Sequence, residues 1–352
     1  MTINKIIWVG CIDFSKATER SSALSPAANA WQINFIKALS NNSNSVYVFS
    51  HIPYSAWPKG PFIVRGSKNL DQDGVITIKN LFYINLPFVR DIYLALYTVM
   101  LICVYAIDSK FLFTYNYSYK CVVSGLFWNL LGKKWVSVFA DGFVKFSAYK
   151  TLYLSYHSYN NSNNPNKIFF DSGIESYLDR VENPTIKNIL YSGTISTWTG
   201  IYDFTKDFCN CSKCKNLVLD IYGKGDISPI KHLIDGKHVR FFGYVNYNTL
   251  LSAASSAYAF INPRPGSTPA ELNNYPSKIS FYLGFGKPIL STRTCNISPI
   301  YDKFILYYNS INEIPFILDL HQNSSFNHQE YSSFVKSNSW NNKVSNFLEN
   351  EL

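Results

Sequence analysis

Asn262-Pro263-Arg264-Pro265, followed by Tyr275-Pro276-Ser277-Lys278-Ile279 and by Tyr282-Leu283-Gly284-Phe285-Gly286-Lys287-Pro288-Ile289-Leu290, is the stretch whose reading decides the fold. The apolar run at 257–261 predicts a strand, Pro276 and Ser277 open a helix over 277–284, and the Gly-Lys-Pro turn leads into a strand at 287–291. Strand, helix and strand in that order make a βαβ unit of a parallel sheet. The basic residues stand where such a unit binds anions. Arg264 follows the strand's carboxyl end with a fork of donors suited to phosphate oxygens. Lys278 falls in the first helical turn, an unfavourable place for a cation unless an anion lies beside it. A solvated surface lysine is the plainer alternative, and that placement argues against it. Ser277 and the free N–H groups of the helix start add further donors.

The alternation continues outward. A strand at 188–192 runs into Gly193-Thr194, a helix lies near 200–208, and a strand at 217–222 ends in Gly223. A strand at 239–242 is followed by Gly243-Tyr244-Val245 and a helix at 248–255. Gly193 is the residue without a side chain that a close backbone approach to phosphate requires. The first half has its own series: strand 5–10, helix 26–39, strand 45–51, helix 90–107, strands 110–115 and 134–140. Ser25-Pro26 reads as an N-cap with Pro at the first helical position. The loop from Gly10 to Ser25 leaves the carboxyl end of the first strand, the edge at which open α/β sheets bind ligands. A chain of 352 residues exceeds what one core supports. Turn formers without an aliphatic residue over Ser158–Asn166 predict a surface loop, with the domain boundary after it, within 165–185. The expected division is 1–165, 166–330, and a C-terminal helix over 331–352 that can return to the first domain. Trp340, Val344, Phe347 and Leu348 lie on one side of that helix.

These motifs resemble those of bacterial GT-B glycosyltransferases of the group-1, family-4-like kind. The C-terminal domains of that family carry an Asn-Pro-Arg strand end, a Phe/Tyr-Pro-Ser-Lys helix start and a Gly-Lys-Pro turn. The likeness is strong over 185–292 and weak over 1–165. It implies an α/β protein of two Rossmann-like, doubly wound domains facing a central cleft, the first binding acceptor and the second a nucleoside-diphosphate sugar. The implied reaction moves a sugar, with retention, to a hydroxyl of a lipid-linked surface polysaccharide such as O-antigen or capsule. No metal or other cofactor is expected. The resemblance gives Arg264, Lys278, Ser277, Gly193 and Thr194 to the donor phosphates, Gly223, Gly243, Tyr244 and Val245 to nucleobase and ribose, and Gly10 to the acceptor-side loop.

Two departures stand out. Relatives place an Arg and a Lys after the glycine that corresponds to Gly193, where this chain has Thr194 and then Thr197 or Trp198. The Glu of the family's Pro-Ser-Lys-x-x-Glu pattern, a ribose ligand, is Phe281. Glu271 is the nearest acid in sequence, either a sugar or ribose contact or a loop surface charge. Asp141 closes the strand Trp135–Ala140 where similar enzymes carry a His or an acid facing the transferred sugar. It either orients a hydroxyl and assists acceptor deprotonation or is a turn Asp before Gly142. A catalytically inactive sugar-nucleotide or polysaccharide-binding partner is the alternative these departures leave open.

Composition narrows the partners. Hydrophobic residues at 47% and charged residues at 16% exclude disorder, and 17% aromatics suit sugars or lipids, or reflect compositional drift. Residues 1–165 hold 15 Lys/Arg against 7 Asp/Glu, and the remainder 17 against 16, so the net +9 lies almost wholly in the first half. That asymmetry points to an anionic membrane surface or head group, or is solubilising only; no nucleic-acid-binding motif accompanies it. The apolar run Ile6–Gly10 is too short for a signal peptide, so the protein is expected in the cytoplasm, with peripheral contact at the membrane's inner face. The uncharged 16 residues Ile92–Ile107 fall short of the ~20 that span a bilayer. They predict a helix that is buried or dips into the membrane, burial being favoured. Seven cysteines argue against a disulfide framework. Cys209, Cys211 and Cys214 lack a fourth ligand nearby in sequence, so no metal site is expected there.

Overall fold

The computed structural model describes residues 3–14, 24–70, 74–140, 148–266, 272–323 and 327–352. The chain forms two compact units, one of Met1–Gly173 with Asn273–Tyr275 and Trp340–Leu352, the other of Ile174–Leu272 with Pro276–Ser339.

The first unit runs β1 (Ile3–Gly10), α1 (Pro26–Ser40), β2 (Ser43–Ser50), β3 (Ile63–Val64), β4 (Ser67–Leu70), β5 (Ile76–Asn80), β6 (Tyr83–Ile84), α2 (Val89–Tyr105), β7 (Phe111–Tyr115), α3 (Tyr119–Leu130), β8 (Lys134–Phe139), β9 (Lys150–Tyr153), α4 (Tyr156–Asn161) and β10 (Lys167–Phe169). Its sheet has the order β10-β9-β8-β7-β1-β2-β5-β4, parallel but for β4, while β3 and β6 pair separately. Alternate residues of β1 feed two cores, as a sheet covered on both faces requires. Ile6 and Trp8 pack with Trp31, Phe35 and Phe113, whereas Ile7 and Val9 pack with Leu94, Ile102 and Trp135. Ser25 caps α1, accepting from the Ala28 N–H, with Pro26 at the helix start as expected.

The second unit runs β11 (Asn188–Ser192), α5 (Ile201–Asn210), β12 (Val218–Tyr222), β13 (Val239–Gly243), α6 (Tyr247–Ser256), β14 (Ala259–Asn262), α7 (Lys278–Leu283), β15 (Ile289–Ser291), β16 (Leu306–Tyr307), α8 (Ile314–Asn323) and α9 (His328–Ser337). Its sheet is parallel throughout, in the order β13-β12-β11-β14-β15-β16. The switch point of this order lies between β11 and β14. A final helix, α10 (Trp340–Asn350), belongs to the first unit. Val344, Phe347 and Leu348 enter the core of Trp31 and Phe35, the Trp340 ring meets Trp31 edge-on at 5.6 Å, and Lys343 pairs with buried Asp171.

Four expectations change. The C-terminal stretch is two helices, α9 and α10, parted at Asn338–Ser339. The Ser158–Asn166 segment begins inside a helix, α4, because Ser155 accepts from the Ser158 N–H and starts a turn there. The uncharged run at 92–107 is only half buried: Leu94, Ala95, Thr98, Leu101 and Ile102 face the core, and the opposite side is open. Cys211 and Cys214 form a disulfide, their Cα atoms 5.3 Å apart, because the single 3-10 turn over Ser212–Cys214 puts both sulfurs on one side. Helix α3 was not legible because Gly125 interrupts its pattern. A Cβ there would stand 2.2 Å from the Trp135 ring, so the glycine is a packing requirement.

Candidate functional site

Three adjacent strands of the second unit end in glycine: β11 before Gly193, β12 before Gly223, and β13 at Gly243. The Gly193 N–H donates to the Tyr222 carbonyl at 3.0 Å and the Gly223 N–H to that of Gly243 at 2.8 Å. A side chain at Gly223, whose φ is +150°, would place its Cβ 1.7 Å from the Gly193 oxygen. Glycine is therefore demanded by close backbone approach as well as by φ. The result is a bare rim at the carboxyl edge, with Gly193 and Thr194 exposed.

Lys278 reaches this rim from the first residue of α7. Its Nζ lies 4.0 Å from the Tyr191 ring centroid and within 3.5 Å of the point a Gly193 Cβ would occupy. Part of the side chain is exposed, but Nζ itself is buried and has no hydrogen-bond partner among the described residues. Burial, and after it the Arg264 charge, pushes the Lys278 pKa well below the ordinary lysine value. The Tyr191 hydroxyl is tied to the Thr194 carbonyl at 2.5 Å and pushed up to about 12 by burial, so the ring stays neutral under the ammonium.

Arg264 follows β14 across the switch point. It is buried, its guanidinium 5.0 Å from the Trp198 ring centroid, and the Thr292 hydroxyl donates to its carbonyl. The turn that carries it presses on Gly200, where a Cβ would meet the Pro263 oxygen at 1.9 Å. The same turn lines a cavity of about 520 Å³, together with Asp203, Asp207 and Asn210. Two carboxylates there disfavour an anion, so the phosphate-compatible side is that of Lys278 and Gly193.

The first unit has a switch point of its own, between β1 and β7. Gly10 ends β1, with Gln32 Oε1 2.2 Å from where its Cβ would lie. Its carbonyl accepts from Lys120 Nζ, a fully buried ammonium, at 2.6 Å. Cys11 and His51 adjoin, Sγ 3.7 Å from Nδ1. Burial, then the charges of Lys120 and Arg90, holds His51 well below its usual pKa, and burial raises the Cys11 thiol. The edge is pinned: the Ile12 N–H donates to Ser50 Oγ, the Asp13 N–H to Asn29 Oδ1, and Gln32 to the Cys11 carbonyl.

No protein-family model matches the chain, and no curated protein sequence does. Solved structures do. A glycosyltransferase from Rickettsia africae aligns with a TM-score of 0.65 at 11% identity, over 99% of this chain and 98% of its own. The lipopolysaccharide outer core galactosyltransferase WaaB aligns at 0.64 and 12%, over 99% and 100%. AviGT4, a glycosyltransferase involved in avilamycin A biosynthesis, aligns at 0.62 and 11%, over 99% and 97%.

The fold is GT-B.

Within the GT-B fold, Gly193, Arg264 and Lys278 come together at the second unit's switch point, with Thr194 beside them. Ser277 is exposed, its side chain caps nothing, and α7 starts one residue later than expected. The Ile279 N–H is already taken by the Pro276 carbonyl, so the helix start offers fewer free donors than the sequence implied. Gly243, Tyr244 and Val245 follow β13; Tyr244 is exposed and Val245 packs into the core of α6 and α7. Asp141 and Glu271 lie outside the described residues.

Sequence reading missed the aromatic surroundings. Trp198 and Tyr191 flank the two cations. Phe281 packs against Phe285 at 5.1 Å and Tyr177 at 6.0 Å, and the Tyr177 and Tyr247 hydroxyls are hydrogen-bonded. Burial first, then Tyr247 and Glu175, raises the Tyr177 pKa. Only the high Tyr and Phe content of the chain hinted at such clustering.

Proposed function

We propose that the chain is a metal-independent glycosyltransferase of the family-4-like kind, acting at the cytoplasmic face of the membrane. It takes a sugar from a nucleoside diphosphate and places it, with retention, on a hydroxyl of a lipid-linked surface polysaccharide. The second unit holds the donor and the first the acceptor. One observation carries this reading: a buried ammonium, Lys278 Nζ, without a hydrogen-bond partner among the described residues, sits next to Arg264 on a glycine rim at a topological switch point. A buried cation held below its ordinary pKa is stabilised when an anion enters. A diphosphate brings such an anion and gains further charge as the glycosidic bond breaks, and two preorganised cations then do electrostatically what a divalent ion does elsewhere. Asp141 and Glu271 are the candidates for orienting the sugar and receiving the acceptor proton.

The enzyme and a binding protein without turnover differ at Phe281, whose apolar packing supports the second reading. Hydrolysis of a bound sugar nucleotide in the absence of acceptor separates them, since only the enzyme shows it. For the site, melting of the wild type is compared with uridine, guanosine, cytidine and thymidine diphosphates. One of them should raise Tm. Lys278→Ala and Arg264→Ala should each weaken that ligand about tenfold to a hundredfold, from the ~1.5–3 kcal/mol of a charge-assisted contact. Unchanged affinity in both variants, or no response of the parent to any diphosphate, rejects the assignment.

A further inference from the structure

Helix α2 shows solvent a side without a charge. Ile92, Leu96, Met100 and Val104 recur every fourth residue and all are exposed, Leu96 and Val104 to 65%. Phe88, 84% exposed, leads into this stripe, and Cys103, Tyr105 and Ile107 extend its far end. Helix α3 packs alongside α2 and adds Leu126, Leu130 and Leu131, Leu130 at 85%. The two helices finish together, Lys133 donating to the carbonyls of Ile107 and Ser109. Scattered exposed apolar residues are ordinary, but a continuous stripe along a 17-residue helix, ~25 Å long, marks an interaction surface.

Charge says what covers it. The segment 79–134 carries six Lys/Arg against two Asp; of these Lys120 is buried, and both acids are paired, Asp108 with Lys5 and Asp91 with Arg90. The basic fringe stands at one end of the stripe, where Lys79 lies over the Tyr105 ring and Lys133 beside Ile107; at the other end Arg90 is half-buried, paired with Asp91 and donating to the Tyr54 carbonyl and Asn85 Oδ1. A twofold contact with a second copy would set this basic fringe against itself. An anionic bilayer surface is complementary to it: the apolar stripe enters the boundary of the acyl chains, ~5–10 Å deep, and the lysines meet the head groups. No described helix is long and apolar enough to cross a membrane.

We infer that the exposed side of α2, with the end of α3, docks the first unit onto a bilayer containing anionic lipid. This rests on the proposed function only for its purpose. The Arg90 end of the stripe adjoins the carboxyl edge of the first sheet, where Arg90 acts electrostatically on Cys11 and His51. A lipid-anchored acceptor is therefore presented to the edge at which that unit binds ligands.

The test is flotation of the full chain with vesicles of phosphatidylcholine alone or mixed with phosphatidylglycerol. Wild type should float with the mixed vesicles and be weakened but not released by high salt, since the apolar contact is unscreened. Leu96→Asp with Met100→Asp should lose tenfold or more in binding, as two side chains each worth roughly tenfold on burial are replaced by acids. Phe316→Asp, an exposed position on α8, should bind as wild type. Equal melting of the variants establishes that they are folded. Failure of wild type to bind at low salt, wild-type binding by the double variant, or a wild-type dimer that the double variant dissociates each overturns the proposal. The vesicles contain no nucleotide, so such a failure leaves the donor site standing, and failure of the diphosphate test leaves the docking surface standing.

Discussion

Each unit buries a lysine at the carboxyl edge of a parallel sheet, and the two lysines are in opposite situations. Lys120 in the first unit is fully enclosed and spends its proton on the Gly10 carbonyl at 2.6 Å. Lys278 in the second has a buried Nζ with no acceptor among the described residues and a pKa pushed well down. The difference teaches that burial of a cation is not by itself a sign of a ligand. A lysine that closes a backbone valence stabilises its fold, whereas one left open is a strain that a ligand can relieve.

The largest effect should come from breaking the first member of the pair. Lys120→Ala removes a buried stem and orphans the Gly10 carbonyl, at a cost of about 2–5 kcal/mol in denaturant unfolding. Lys120→Met, which keeps the stem, should lose clearly less. Lys278→Ala should hold stability or raise it, since it removes a buried cation from a helix start. If the two alanine variants lose equal stability, the contrast is wrong.

Next in size is Gly223→Ala. The added Cβ meets the Gly193 oxygen and the φ of +150° is costly for any side chain, so roughly 1–3 kcal/mol should be lost. The displaced rim should also blunt the melting response to the nucleoside diphosphate. Stable, fully responsive protein would show that the rim does not shape the site.

The smallest effect is a pH dependence. In the free protein Lys278 has a lowered pKa, whereas in the unfolded chain it has the ordinary value, so between the two the folded state binds fewer protons. Ligand-free stability should therefore rise with pH across that window, the penalty being fully present below it. Phosphate needs the charged form, so diphosphate affinity should fall as pH passes upward through the lowered value, by at most about tenfold per unit, ~1.4 kcal/mol. Titration calorimetry at several pH values should show this slope in wild type and none in Lys278→Ala.

Much of the fold, and most of the second unit, could be read in advance because its signals are local. The strands at 188–192 and 217–222 are continuous apolar runs closed by glycine, and Ser25-Pro26 announces α1 through a cap that spans three residues. The triad of Gly193, Arg264 and Lys278 was legible for the same reason: each stands at the end or start of an element, and parallel topology gathers such ends at one edge. Helix α3 was not, since Gly125 makes sense only against Trp135, a neighbour in space.

By itself, then, the sequence determined the two α/β series, the glycine strand ends and the basic pair beside them, because periodicity, capping and turn chemistry are written in neighbouring residues. Tertiary structure alone decided that Lys278 Nζ is buried without a partner among the described residues while Lys120 has one, that α10 completes the first unit's core, and that α2 keeps an apolar side in the open. Each of those depends on what residues far away in the chain bring alongside, and burial, charge and satisfaction are properties of that company.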